Sequence, residues 1–249
     1  MSVVAARIGV VAALVLCWEL GSRSGYLDPL TFSSPSRVAP QFVDLFSSPV
    51  VSVDLESTVK NVGFGFASGA LAGGVLGLLL LGMGESVRGI LLNYVVSLQA
   101  IPLLVFYPLL LTIFGLTRLP IVIIVAVVVM VPVTVGVTNS FAAVPRSLVR
   151  LTRALDLSRG TALRKVYLPA AVPLLFPSLR LGFLLAMVSA IGMEFVVASQ
   201  GLGYAVAHSY HAFATDQMYA LIVFICLLAV VVDVALTAVE NRLRRDRVA

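Results

Sequence analysis

Charge is what this chain has least of. Of its 249 residues only 12% are Asp, Glu, Lys or Arg, while 60% are hydrophobic. A water-soluble domain carries about 25% charged residues, because its surface must face water. A soluble globule of this length is therefore excluded, and lipid is the remaining solvent for so much apolar surface. Cysteine is nearly absent: Cys17 and Cys226 both lie in apolar runs, so no disulfide framework exists and no redox compartment follows. His208 and His211 alone make a weak metal site. No Gly-x-x-x-x-Gly-Lys-Ser/Thr loop occurs, so the chain has no phosphate cradle of its own. No Gly-x-Ser-x-Gly elbow occurs either, which leaves Ser199 with the two histidines as a poor hydrolase constellation.

The few charges are placed informatively. None falls between Lys60 and Glu85, between Arg88 and Arg118, or between Arg118 and Arg146. Each gap exceeds the roughly 20 residues an α-helix needs to cross the hydrocarbon core. Residues 3–20, 171–198 and 217–240 are nearly as apolar, which makes six expected spans, at about 3–20, 60–83, 89–115, 119–141, 171–198 and 217–240. Val122 to Val131 has no polar side chain, so a barrel's alternating pattern is absent. Helices satisfy their own backbone in lipid, and the expected fold class is an all-α integral membrane protein. The first segment, with Arg7 ahead of its apolar run, reads as a retained helix. Leu16 before Cys17 is too large for lipoprotein processing.

Basic residues collect on the cytoplasmic side of membrane proteins. One set of loops holds Arg7, Arg88, the arginines and lysine of segment 145–168, and Arg242, Arg244, Arg245 and Arg247, twelve basic residues against four on the other side. Both termini are therefore expected in the cytoplasm, and the net charge of +5 reflects this asymmetry rather than a nucleic-acid partner. Gly21 to Thr58 is then external, and its amphipathic piece Val38 to Phe46 reads as an interfacial helix resting on the membrane surface.

Segment 145–168 is too long for a simple connection. Leu148, Leu151, Leu155, Leu163 and Val166 roughly keep helical spacing, with a break near Ser158-Arg159-Gly160. The pattern predicts two short amphipathic helices joined by a turn and ended by Pro169. Patterned helix on the cytoplasmic face indicates a docking surface for a soluble partner.

This segment resembles the coupling loop of binding-protein-dependent ABC permeases, written roughly E-A-A-x-x-x-G, nine residues, then x-x-L-P. The likeness rests on Ala154-Leu155-Asp156-Leu157-Ser158-Arg159 and on Leu163 to Pro169. Ile101-Pro102, Tyr107-Pro108-Leu109 and Phe114-Gly115 are similar to the third span of the alkanesulfonate, taurine and nitrate subgroup. Glu194 with Ala198 to Tyr204, and Asp233 to Glu240 with Arg242, match its later segments. The resemblance implies a MetI-like fold of six transmembrane helices, with a cytoplasmic coupling segment between the fourth and fifth, in a bacterial inner membrane.

The same resemblance implies import of a small solute, such as a sulfonate, nitrate or a small heterocycle, delivered by an external binding protein. ATP and magnesium would sit on separate ABC ATPase subunits, with no cofactor on this chain. A second copy or a homologous permease would complete the path within the lipid. Coupling falls on Arg150, Leu151, Ala154, Leu155, Asp156, Leu157, Ser158, Arg159, Gly160, Leu168 and Pro169, and the translocation path on Gln99, Pro102, Tyr107 and Glu194. The chain departs from the pattern in one important place. Aligned on Leu168-Pro169, the family's acidic residue falls on Arg150, its alanines on Leu151 and Thr152, and its glycine on Asp156. An Asp there can adopt a left-handed backbone or cap the following helix. A degenerate loop of this kind fits the weaker half of a heterodimer as well as a homodimer.

Intramembrane polar residues complete the reading. Arg180 and Asp233 lie at matching depths, roughly 12–15 Å from the cytoplasmic ends of their helices, which predicts a structural ion pair. Glu194 either faces the path or snorkels to the interface. Gln99, Asn61 and Asn139 suit interhelical hydrogen bonds. Pro102, Pro108 and Pro132 are expected kink sites. The glycines 63, 65, 69, 73, 74 and 77 predict a helix packed closely on a neighbour.

Overall fold

The computed structural model describes residues 3–24, 28 and 31–245. The side chains of Arg7, Arg159, Arg244 and Arg245, and all of Arg247, lie outside the described residues. Every regular element among the described residues is helical. They are α1 (Val3–Arg23), α2 (Pro35–Ser47), α3 (Pro49–Leu81), α4 (Glu85–Ser97), α5 (Tyr107–Phe114), α6 (Leu119–Ala142), α7 (Arg146–Ala154), α8 (Arg159–Ala162), α9 (Leu168–Val197), α10 (Leu202–His211) and α11 (Thr215–Arg245). The chain forms two compact units, one of Met1–Thr58 with Glu194–Leu228 and one of Val59–Met193 with Ala229–Ala249.

Four described stretches are long and apolar enough to cross a bilayer: Val51–Leu81, Leu119–Ala142, Gly160–His211 and Thr215–Arg242. Counting the bent pair α4 and α5 as one span makes five. The expected first span lies in α1, a helix of 21 residues that exposes Val10, Val11, Leu14 and Leu20.

The third expected span, 89–115, is interrupted at Pro102, one of the expected kink sites. It stops at a short turn, Leu98–Ala100, restarts at Leu103–Phe106, and bends by 74° in between. Pro102 explains the break: it has no N–H to give, and it pushes Ile101 out of the helical region, to ψ 124°. Pro108 instead starts α5, where a missing N–H is harmless, and α6 runs unbroken through Pro132. The helix that holds the second expected span, α3, begins ahead of it, at Pro49.

In the first unit, α2 contributes Val38 and Leu45 to a core with Val51, Leu202, Val206, Ala220 and Leu221. Part of the expected amphipathic piece is thus buried against protein, where valine and leucine gain from close packing, while Val43 and Phe46 of the same helix stay exposed. Trp18 Nε1 donates to the Ser33 carbonyl at 2.8 Å, and Asp216 accepts from Ser33 Oγ and pairs with Arg37.

In the second unit α6 is the buried helix, with Val125, Val129 and Val133 essentially inaccessible. A helix apolar all round belongs in such a position. Against it lie Gly65, Gly69, Gly73 and Gly77 of α3, where an added Cβ would strike Val125, the Ala126 and Met130 carbonyls, and Val137. Gly63 and Gly74 of the same helix have nothing within 4 Å.

Candidate functional site

The segment between the fourth and fifth expected spans folds as a helix, a tight turn and a second helix. α7 buries Thr152, whose hydroxyl donates to the Val149 carbonyl at 2.8 Å and approaches Tyr167 Oη at 3.4 Å. Leu151 and Leu155 stay exposed, at 47% and 59%. At the end of α7 the Leu157 N–H donates to the Thr152 carbonyl at 3.0 Å and the Asp156 N–H to the Arg153 carbonyl at 3.1 Å. This is the paired bonding of a Schellman motif, which closes the orphan carbonyls of a helix end. Its geometry demands a left-handed residue, and Asp156 supplies it with φ 46°. An Asp stands there because its short polar side chain tolerates that region better than most others. Ser158 then caps α8: its hydroxyl accepts from the Thr161 N–H at 3.3 Å and lies 2.8 Å from Thr161 Oγ1. A cleft of about 480 Å³ opens here, lined by Thr152, Arg153, Asp156, Leu157, Ala162, Leu163 and Tyr167.

Gly160 lies in α8, but the second helix does not end at Pro169 as expected. One π-turn, Leu163–Tyr167, carries it into α9, with the Leu168 N–H bonded to the Leu163 carbonyl. Widening the turn just before proline spares the ring a clash with the preceding carbonyls. Leu168 and Pro169 are both exposed.

Asp156 yields a direct test. Asp156→Gly should stabilise the turn by roughly 1 kcal/mol, because glycine enters the left-handed region without penalty, and Asp156→Val should destabilise it by at least as much. Thermal melts of the detergent-solubilised chain read both signs; equal midpoints for the two variants would contradict the geometry.

Arg180 and Asp233, expected to pair, are in contact. Arg180 Nη2 and Nε donate to Asp233 Oδ1 at 2.6 and 2.8 Å, and Glu240 Oε2 sits 3.5 Å from Nη1. Glu240 was not anticipated, although a spacing of seven puts it on the Asp233 face of α11.

The residues expected along a path fall in different surroundings. Gln99 and Pro102 are exposed at the helix break, whereas Tyr107 is buried, at 3%. Glu194 does not snorkel. It is fully buried, and its Oε2 accepts from Thr58 Oγ1 at 2.7 Å and from the Gly203 N–H at 3.2 Å. Thr58 Oγ1 in turn accepts from the Leu202 N–H at 2.8 Å, and Asp54 Oδ1 from the Gly201 N–H at 2.9 Å. Three successive amides at the start of α10 thus end on side chains, which satisfies donors a helix leaves open. Sequence reasoning missed Asp54 and Thr58; their spacing of four on one helix face was the available signal.

A probable ABC transporter permease protein of Haemophilus influenzae is 28% identical over 85% of this chain and 85% of its own length. The taurine transport system permease protein TauC of Escherichia coli is 24% identical over 95% of this chain and 87% of its own. An inward-facing structure of the MetNI methionine ABC transporter shares the fold, with a TM-score of 0.62 at 20% identity over 75% of this chain and 92% of that one. The family model of the binding-protein-dependent transport system inner membrane component matches residues 66–245. The chain belongs to that family, and is a multi-pass inner-membrane permease subunit of an ABC importer whose ATPase is a separate polypeptide.

Proposed function

We propose that this subunit carries a small sulfonate, handed over by an external binding protein, and that segment 146–169 transmits ATPase motion to the path. The observation that carries the coupling role is the exposed helix, Schellman turn and helix between α6 and α9. It presents leucines and arginines to water on a chain without a phosphate loop of its own. The substrate class is supported by the taurine-transport relative, since taurine is a small sulfonate.

Arg150, Leu151, Ala154, Leu155 and the Asp156 turn form the contact with the ATPase, which holds ATP and magnesium. The break at Gln99 to Pro102 lines the path, because irregular backbone at membrane depth is tolerated where it borders a water-filled cavity. Both termini face the cytoplasm, as twelve basic residues against four require. A second permease, identical or homologous, completes the path, and the apolar surfaces of α1 and α11 meet lipid.

Purification from the host in mild detergent, with mass spectrometry of what co-elutes, tests the assembly. An ATPase subunit bearing a phosphate loop is the expected companion, and a second permease in equal amount would make the path a heterodimer. A chain that elutes alone would overturn the coupling role.

A further inference from the structure

We infer that α7 docks through a row of arginines, and that the matching groove of the partner ATPase is acidic. This rests on the coupling role proposed above and specifies the partner's chemistry. Arg146, Arg150 and Arg153 stand at i, i+4 and i+7, so one side of α7 carries all three guanidinium groups. All three are exposed, and none is engaged in a hydrogen bond or ion pair among the described residues.

The helix is charged against its own interest. It has no acidic residue in its first turn, and Arg146 stands there instead, where the helix dipole disfavours a cation. Like charges four apart also repel. Such a row is stable as a docking feature once carboxylates arrive from outside. Beside it run Ser147 and Ala154, both exposed and small, and beyond them Leu151 and Leu155. The remaining side, with Thr152, is buried within the chain. The free surface is thus a charged row, a shallow strip that permits close approach, and an apolar row, which suits a protein groove with one acidic wall. A helix resting on lipid would instead point its apolar row at the bilayer with cations flanking it.

The complex purified in neutral detergent tests this through the ATPase-to-permease ratio on size exclusion, from about 0.1 to about 1 M NaCl, where the screening length falls from about 10 to about 3 Å. Wild type should lose most of its ATPase across that range. Arg150→Glu should lose about tenfold at the lowest salt, with Arg150→Gln intermediate, while permease melts stay unchanged because the side chain is exposed. Carboxylate-to-lysine changes in the ATPase groove should restore binding to Arg150→Glu. Wild-type retention by Arg150→Glu at every salt concentration would overturn the inference. So would a defect confined to bilayers of anionic lipid, which would assign the row to headgroups. If wild type holds no ATPase even at low salt, the coupling role itself fails; ATPase that stays bound regardless of charge sinks only the acidic groove.

Discussion

Gly69→Ala should lower the melting midpoint of the solubilised protein sharply, and Gly69→Leu should leave no folded protein. A Cβ at Gly69 overlaps the Ala126 carbonyl and comes within 2.7 Å of Val129 Cβ. The first obstacle is backbone of a buried helix, which cannot rotate aside as a side-chain tip would. Overpacking of this kind costs about 1–3 kcal/mol for one methyl group and more for a larger one. Gly73 is held equally close, its carbonyl accepting from Thr134 Oγ1 at 3.2 Å. The same helix contains its own controls. Gly63 and Gly74 face open space, and alanine in a helix interior is favoured over glycine by up to about 1 kcal/mol. Gly63→Ala and Gly74→Ala should therefore be neutral or stabilising. Opposite signs on one helix distinguish close packing from a general effect of alanine; a Gly69→Ala variant as stable as wild type would refute the contact between α3 and α6.

Glu194→Ala should be as damaging, and its coupling to Gly201 is the more diagnostic quantity. Removing the carboxylate strips an acceptor from Thr58 Oγ1 and from the Gly203 N–H in a fully buried site. Each buried donor left without an acceptor costs about 1–3 kcal/mol. Gly201 has φ 122° and ψ 163°, a region that only glycine occupies readily, and a Cβ there would overlap the Glu194 carboxyl carbon. Gly201→Ala thus carries two penalties, one from its backbone and one from Glu194. In the double variant the second disappears, so the combined loss should fall short of the sum of the singles. Melting midpoints of the four proteins measure the shortfall, and strict additivity would mean that the glycine does not answer to the glutamate.

Three features show how far local pattern reaches. The π-turn before Pro169 and the break at Pro102 both accompany a proline, yet one continues a helix and the other bends a span by 74°. A proline in the sequence does not by itself separate the two outcomes; the bonds open to the neighbouring carbonyls do. At Asp156 the sequence left a left-handed backbone or a cap of the following helix open; the structure takes the first, with φ 46°, and gives the cap to Ser158. Arg180 and Asp233 were legible as a pair because the membrane ranks residues by depth, and two unlike charges at one depth in lipid have strong reason to meet.

The sequence by itself determined the solvent, the helical class, and the helix, turn and helix between the fourth and fifth expected spans, since each depends on composition or on spacing along the chain. Tertiary structure alone decided which four of the six glycines meet α6, that α2 buries Val38 and Leu45 in a core, and that Glu194 closes the start of α10 with Thr58 and Asp54 at its side. Those outcomes depend on which surfaces of distant segments are brought together, and periodicity tells a helix which face to bury without telling it against what.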